Sequence, residues 1–251
     1  MRSTAEWRFW GRYDPMWAVA TWEGRQHDGP HPWTIDDFLA AGRSDCTDIM
    51  RQWNQYGRKD GGRCVEIGCG AGRLTSALVD YFDRVLAIDV SVDQIELAKR
   101  FLGASVTRVT FSIVEEPVLD VRPGTCSAMI STFVFQHLSD YSGIVAYLRA
   151  AHRALQPGAS ICFQTPVPGA DNGDLPSAAA RTLDSVRSRV SRALGRRRFM
   201  EYNRYPVERI VSTLEEIGFQ DVEMRIVRLA STNRRQSFFF ARKPGLHSNG
   251  A

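Results

Sequence analysis

The chain contains no long uninterrupted apolar run. A helix that crosses a bilayer needs roughly 20 mainly apolar residues, and no stretch of this sequence approaches that length. The N-terminus does not form the apolar segment of a secretory signal peptide, because Glu6, Arg8 and Arg12 interrupt it. We therefore expect a cytoplasmic protein with no transmembrane segment.

Cysteines are few and do not pair. There are five of them, an odd number, and no short paired spacing typical of a disulfide framework or a zinc site occurs. None has neighbours that would activate it as a nucleophile. No cluster of histidine, aspartate and glutamate has the spacing of metal ligands, so no metal is expected, although Glu115, Glu116 and Asp120 could hold magnesium.

A strong excess of charge is also missing. The formal net charge is +4 on 251 residues, whereas nucleic-acid-binding domains are usually much more basic. With 43% hydrophobic and 24% charged residues, the composition predicts a packed globular core. The length suits one α/β domain of roughly 200 residues plus extra helices.

Strand and helix patterns alternate through the middle of the chain. We predict strands over 64–67, 85–88, 109–114, 128–133 and 160–165, and helices over 74–81, 92–102 and 141–155, the last closed by Pro157 and Gly158. Ser91 is a plausible N-cap of the second of these helices. Such alternation is typical of a parallel sheet with right-handed crossovers.

The end of the chain follows another pattern. A helix over 206–217, ended by Gly218, precedes two strand-like runs, 222–229 and 237–241, joined by a polar turn. This pattern predicts a hairpin, so one of the last strands must run antiparallel to its neighbours. The fold class is therefore α/β, with a mostly parallel seven-stranded sheet, helices on both faces and an N-terminal helical extension.

A glycine-rich loop follows the first predicted strand. Gly68, Gly70 and Gly72 form a GxGxG sequence between a strand and a helix, where glycine permits tight turns and lets a ligand lie against bare backbone. One carboxylate, Glu66, precedes the loop, and another, Asp89, ends the next strand, where nucleotide-binding folds hold ribose hydroxyls. Two acids suit a cationic nucleoside cofactor without phosphates.

From about residue 64 to residue 243, the order of these elements resembles the class I S-adenosylmethionine-dependent methyltransferases, with a Rossmann-like fold. The stretch from Ile130 to Leu138 and the Leu155-Gln156-Pro157-Gly158 sequence are similar to the same family. The resemblance implies that the cofactor is S-adenosyl-L-methionine. It also implies that the glycine loop holds the methionine part of this cofactor and that Asp89 holds the ribose.

Further cofactor contacts follow from the same resemblance. Glu115, after the third strand, corresponds to an aspartate that lies near the adenine in the family, and the adjacent Glu116 makes this assignment ambiguous. The cofactor-binding set implied in this way consists of Glu66, Gly68, Gly70, Gly72, Arg73, Asp89, Val90, Gln94, Glu115, Glu116 and Phe133.

The acceptor side of the site is expected around the end of the fourth strand. His137 lies just past that strand, at the edge of the sheet where open α/β folds bind ligands, and it could take a proton from an acceptor. Alternatively, it packs or caps the following helix. The expected substrate-binding residues are Trp10, Trp17, Gln136 and Tyr202.

Three flanking segments complete the predicted domain organisation. Residues 1–57 form an aromatic-rich helical extension or lid, and 58–243 form the methyltransferase domain. Within that domain, 166–204 form an arginine-rich insertion, with a helix over 178–194 that either binds an anionic or lipid-linked substrate or is simply solvated. Residues 244–251 form a flexible tail.

Several functions remain open on the sequence alone. The leading hypothesis is transfer of a methyl group to a small-molecule hydroxyl, on a sugar, a lipid-linked glycan or a natural-product scaffold. The alternatives are N-methylation of a small amine, RNA modification, cofactor binding without turnover, and nicotinamide-dependent oxidoreduction. The chain lacks the Asn/Asp-Pro-Pro-Tyr/Phe motif of enzymes that methylate base amines, which makes a nucleic-acid partner less favoured. The oligomeric state is not indicated.

Overall fold

A computed structural model describes residues 2–169 and 202–245 of the chain. Its centre is a seven-stranded sheet with the strand order β3-β2-β1-β4-β5-β7-β6. The strands are β1 (Arg63–Ile67), β2 (Arg84–Asp89), β3 (Val109–Ile113), β4 (Cys126–Ser131), β5 (Leu155–Gln164), β6 (Gln220–Leu229) and β7 (Arg234–Arg242). The predicted arginine-rich helix over 178–194 lies outside the described residues.

Helices connect and cover these strands. They are α1 (Arg2–Tyr13), α2 (Pro15–Val19), α3 (Ile35–Tyr56), α4 (Thr75–Leu78), α5 (Val92–Leu102), α6 (Tyr141–Ala154) and α7 (Val207–Ile217). Two predicted helix signals are confirmed: the Ser91 hydroxyl accepts a hydrogen bond at the start of α5, and Gly218 ends α7 in the left-handed conformation.

The direction of the strands agrees with the prediction. Strands β1 to β5 pair in parallel, and β7 pairs antiparallel with both β5 and β6. Strand β7 therefore lies between two strands that run opposite to it. Strands β1 and β4 are buried almost throughout, as expected for the centre of a sheet that is covered on both faces.

Several element boundaries differ from the sequence prediction, and two of the differences have a clear physical cause. Helix α4 stops at Leu78, because the backbone N–H groups of Asp80 and Tyr81 bond to carbonyls three residues back and tighten the chain into turns. Helix α6 ends at Ala154 and passes directly into β5, so that Gly158 lies inside the strand. The backbone N–H of Gly158 donates to the carbonyl of Lys243. Gly158 therefore pairs with the residue that follows β7 and does not terminate the helix.

The third N-terminal helix belongs to the core of the domain. Trp53 of α3 is fully buried, and its indole N–H donates to Ser160 Oγ of β5 at 2.9 Å. Ile49 and Met50 of the same helix pack in one cluster with residues of β1, β2 and β4. Of the predicted extension over 1–57, only the part before α3 is therefore free to act as a separate cover.

Candidate active site

The glycine loop joins β1 to α4 and is closely packed. Gly68, Gly70 and Gly72 all have positive φ, at 76°, 52° and 81°, a region that other residues rarely adopt. A Cβ on Gly68 would overlap the side chain of Val134, and one on Gly70 would lie 2.5 Å from a methyl carbon of Val19. Glycine is required here both for the backbone conformation and for the close approach.

Asp89 ties the second strand to this loop. Its carboxylate accepts hydrogen bonds from the N–H of Gly70 at 2.8 Å and from the N–H of Ser91 at 2.9 Å. Burial raises the pKa of Asp89, while these backbone N–H groups oppose the rise. Each carboxylate oxygen has a second lone pair that can accept a hydrogen bond from a ligand hydroxyl.

Glu66 lies behind the loop instead of lining the space in front of it. It is 3% exposed, and the hydroxyl of Thr75 donates to it at 2.6 Å. Burial raises the pKa of Glu66 to about 7. This geometry supports the loop from its buried side, and the predicted contact between Glu66 and the cofactor stays a prediction.

A cavity of about 520 Å³ opens in front of the loop, at the carboxyl edge of the parallel strands. This is the edge at which open α/β sheets bind ligands. Twelve of the sixteen site residues expected from the sequence line it: Gly68, Gly70, Arg73, Asp89, Val90, Gln94, Glu115, Glu116, Phe133, Gln136, His137 and Tyr202. The other four, Glu66, Gly72, Trp10 and Trp17, lie outside this lining.

Different N-terminal tryptophans reach the cavity from those expected. Trp10 is buried against Trp17, with ring centroids 5.3 Å apart, whereas Trp7 and Trp22 line the cavity. The sequence shows that all four residues are aromatic. Which face of α1 lies toward the cavity depends on how this helix packs against α5. Cavity-lining polar residues that the sequence did not indicate include Asp45, Thr232, Arg234 and Gln236.

A buried ion pair borders the cavity beside the glycine loop. Arg73 is 5% exposed, and its guanidinium donates to Asp45 of α3 at 2.5 Å. The second oxygen of Asp45 accepts a hydrogen bond from Ser231. The Nε atom of Arg73 is buried without a partner among the described residues. The pair thus presents a positive and a negative group side by side.

The turn between β6 and β7 is attached to α3. The carboxylate of Asp48 accepts a hydrogen bond from the N–H of Ala230 at 2.7 Å, and Asp45 accepts one from Ser231. These contacts hold a turn whose neighbours Thr232 and Arg234 line the cavity. One wall of the site is therefore positioned by carboxylates from an N-terminal helix.

His137 stands in an aromatic corner of the cavity. Its ring centroid lies 4.9 Å from that of Trp7 and 6.3 Å from that of Tyr202, both in edge-to-face geometry. Its Nε2 atom is 3.0 Å from the amide nitrogen of Gln136. The amide oxygen of Gln136 is buried with no partner in the part of the chain that is described.

Helix α1 lies across the end of the cavity near β2 and β3. Arg8 donates to the carboxylate of Glu115 at 2.6 Å and to the carbonyl of Val90 at 3.2 Å. The hydrogen bond from Arg8 lowers the pKa of Glu115. Gln94 donates to the carbonyl of Pro15 at 2.9 Å, and its own amide oxygen is buried without a described partner.

The described residues contain neither a metal-binding cluster nor a membrane-spanning helix. No three histidine, cysteine, aspartate or glutamate side chains within 2–169 and 202–245 are grouped so that they could bind a metal ion. None of the described helices combines the length and apolar character of a membrane span. All five cysteines are buried and unpaired, and burial raises the pKa of those in β1 and β5.

Comparison with known proteins identifies the family of this site. A family model described as a methyltransferase domain matches residues 42–224, from within α3 to within β6. The chain belongs to this methyltransferase family. The class I fold and its cofactor, S-adenosylmethionine, are therefore confirmed at the level of the family.

Curated relatives of this methyltransferase match over a limited region. A ubiquinone biosynthesis O-methyltransferase of Methylococcus capsulatus is 31% identical over 106 residues, which are 42% of this chain and 44% of that protein. An enzyme with the same name from Idiomarina loihiensis is 24% identical over 106 residues, 42% of either chain. The chain thus spans less than half the length of the curated relatives it matches.

Solved structures extend the similarity of fold over most of the methyltransferase. A Haemonchus contortus phosphoethanolamine N-methyltransferase 2 in complex with S-adenosyl-L-methionine has a TM-score of 0.56 and 20% identity, covering 86% of this chain and 53% of that one. A Methanosarcina mazei S-adenosylmethionine-dependent methyltransferase has a TM-score of 0.58 and 16% identity, covering 78% and 98%. At these identities the comparison describes the fold.

Proposed function

We infer that this methyltransferase transfers a methyl group from S-adenosylmethionine to a hydroxyl group of a small, planar acceptor. The observation that carries the proposal is the position of His137. It lies in the same cavity as the glycine loop, between the rings of Trp7 and Tyr202. A potential base thus stands within one pocket with the residues expected to hold the methyl donor.

The residues of the cavity fit the cofactor at both of its ends. At one end, Asp89 has lone pairs that can accept from ribose hydroxyls. Val90 and Glu115 border the space expected for the adenine. At the other end, Arg73 and Asp45 offer opposite charges to the carboxylate and ammonium of a methionine group. The unpartnered Nε of Arg73 would gain an acceptor there, which would remove the cost of leaving it buried and unpaired.

The bound cofactor would supply a sulfonium-linked methyl group, which the acceptor oxygen attacks with an electron pair while the carbon–sulfur bond breaks. The chain has to remove the proton of the acceptor hydroxyl. In one orientation of the amide, Gln136 accepts from Nε2–H of His137, which selects the tautomer whose Nδ1 carries the basic lone pair.

The aromatic walls of this corner of the cavity favour an acceptor with a planar part. Trp7, Phe133 and Tyr202 are aromatic, and such rings contact flat apolar groups through their faces and edges. Polar side chains such as Ser139 and Asp140 line the same cavity and can hold hydroxyl groups of that acceptor. The O-methyltransferase names of the curated relatives agree with a hydroxyl acceptor.

Residues 2–20 would shield the reaction from water. Val19 packs on Gly70, Arg8 bridges to Glu115, and Trp7 contacts His137. The segment therefore touches the glycine loop, the end of the cavity expected to hold the adenine, and the proposed general base His137. Closure of this kind excludes water and holds the reactants in position.

The proposal is tested in two steps. Calorimetry with S-adenosylhomocysteine should show binding that Asp89→Ala weakens. Transfer of a labelled methyl group is then measured with hydroxylated aromatic acids, free sugars and primary amines. Methylated hydroxyl products from aromatic acceptors support the proposal. Binding without any transfer, or products formed only on amines, would contradict it, the latter in favour of N-methylation.

A further inference from the structure

Polar groups at the ends of three neighbouring strands form a continuous ladder. The backbone N–H of Phe133, just past β4, donates to Oε1 of Gln164 at the end of β5, at 3.1 Å. The Nε2 group of Gln164 donates to Oε1 of Gln236 in β7, also at 3.1 Å. Gln164 is completely buried, so its own amide has no access to solvent, and a missing partner there is costly.

The direction of this ladder follows from a single backbone group. A peptide N–H can only donate, so the atom of Gln164 that faces Phe133 must be its oxygen. The amide nitrogen of Gln164 then faces Gln236, whose oxygen must accept from it. Both side-chain orientations are fixed in this way, without any ambiguity between amide oxygen and nitrogen.

The residue at the start of the ladder has an unusual backbone. Phe133 has a φ of 59°, in the left-handed region that side chains other than glycine rarely adopt. Such a conformation persists only where the surroundings hold it, and it is often found at functional sites. The hydrogen bond from Phe133 to Gln164 is a contact that can hold it.

The path of the chain after Phe133 determines where the proposed base lies. Val134 packs directly on Gly68 of the glycine loop. A short 3₁₀ turn over Phe135–His137 follows, in which the N–H of His137 donates to the carbonyl of Val134 at 2.9 Å. A change of backbone conformation at Phe133 would therefore displace His137 relative to the loop.

We propose that Gln164 is a positioning residue for His137, because it fixes the left-handed backbone of Phe133 from which the His137 turn starts. Gln164 does not itself line the cavity, so its effect passes through Phe133. The functional meaning of this role rests on the proposed methyl transfer. The positional coupling itself does not, because it can be observed in the absence of any reaction.

Three variants test the coupling in the full chain. Gln164→Leu removes both hydrogen bonds, while Gln164→Glu keeps an oxygen that accepts from Phe133. Thr165→Val is the matched control, since it alters an equally buried neighbour whose hydroxyl has no described partner. The measurements are the ring signals of His137 in NMR titrations, thermal unfolding, and the dissociation constant of S-adenosylhomocysteine.

We expect Gln164→Leu to shift the His137 ring signals and its titration curve. It should also weaken S-adenosylhomocysteine binding about fivefold, because the Phe133–Gln164 bond holds the segment whose Val134 packs on Gly68 of the glycine loop. Gln164→Glu should restore both, and Thr165→Val should change neither. Unchanged His137 signals in Gln164→Leu, or equal damage in Gln164→Glu, would overturn the proposal.

A double variant covers the case in which Gln164→Leu does not fold. Glycine adopts positive φ without support, so Phe133→Gly together with Gln164→Leu should recover folding and the parent His137 signals. Failure of this double variant would mean that Gln164 only packs the core, and would overturn the proposal. If His137→Ala retains full turnover while Gln164→Leu still moves the His137 signals, the positioning stands and the catalytic assignment falls.

Discussion

The rings of Trp7 and His137 meet edge-to-face, with centroids 4.9 Å apart and planes at 66°. One residue comes from the first helix of the chain and the other from the loop after β4. This contact joins the cover of the site to its proposed base. The N-terminal segment therefore forms part of the cavity wall, although the family match begins only at residue 42.

Replacing the proposed base should affect chemistry far more than cofactor binding. For His137→Ala we expect turnover to fall by roughly 10²- to 10⁴-fold, the usual contribution of a general base. The affinity for S-adenosylhomocysteine should change little. Steady-state kinetics and calorimetry check the two parts separately, with His31→Ala, an exposed histidine, as the control. Turnover close to that of the parent would assign His137 to packing.

The contact between Trp7 and His137 predicts a graded effect of ring size. Edge-to-face aromatic pairs contribute about 0.5–1.5 kcal/mol beyond their burial. Trp7→Ala should therefore reduce kcat/KM by about two- to tenfold, whereas Trp7→Phe should retain most of the activity. If both variants behave alike, the ring contact is not what matters at this position.

The ribose assignment predicts a loss of affinity when Asp89 is removed. Asp89→Ala should weaken S-adenosylhomocysteine binding by about 1–3 kcal/mol, the scale of a charge-assisted hydrogen bond. Because Asp89 also holds the N–H of Gly70, some of this loss would come from a looser loop. Calorimetry measures it, and Asp120→Ala, exposed and outside the cavity lining, is the control. Equal affinity of Asp89→Ala and the parent would argue against the assignment.

The ion pair between Arg8 and Glu115 should control cofactor exchange more than stability. Both side chains are substantially exposed, at 39% and 72%, and exposed pairs stabilise folds little. We expect Arg8→Ala to leave the melting temperature almost unchanged but to speed release of S-adenosylhomocysteine, measured by stopped-flow fluorescence. Arg12→Ala, which breaks the Arg12–Asp93 pair on the same helix, is the matched control. Equal release rates in both variants would remove the special role of Arg8.

The buried carboxyl of Glu66 predicts a pH dependence of stability. Its pKa rises from 4.5 to about 7 on folding, so the folded state holds this proton more tightly than the unfolded state. The favourable contribution is complete below pH 4.5 and is lost as the pH rises to about 7. Burial of the charged form should then cost up to roughly 3 kcal/mol.

The variant Glu66→Gln isolates this contribution. The amide keeps an oxygen that can accept from Thr75 but cannot ionise. Urea unfolding at pH 5 and pH 8 should show a smaller loss of stability for the variant than for the parent. Parallel pH profiles of the two proteins would mean that Glu66 does not ionise in this range.

Local sequence signals were sufficient for the sheet and for the turn of the glycine loop. Strand patterns, the three glycines and Asp89 all occur in short segments whose geometry depends mainly on nearby residues. The close packing of Val134 on Gly68 and of Val19 on Gly70 could not be read from the sequence. It depends on where separate elements meet in the folded chain.

The acceptor side was harder to predict, because long-range packing decides which residues face it. Helix α1 carries Trp7 and Trp10 only three positions apart, and its packing alone brings Trp7 to the cavity while burying Trp10. In the same way, the sequence indicated Arg73 through its position in the glycine loop, but it did not indicate the partner of Arg73, Asp45, which comes from α3. Gln236 reaches the site only because β7 lies beside β5.

The attachment of the β6–β7 turn to Asp45 and Asp48 has a consequence for how this enzyme can change. The turn reaches Asp45, whose partner Arg73 is proposed to hold the methionine group, but it makes no part of the glycine loop. Substitutions at Thr232 or Arg234 should therefore disturb the methionine end of the cavity while the ribose contact of Asp89 stays intact. Two aspartates on one helix thus make the last hairpin of the chain a part of the methyl-donor site.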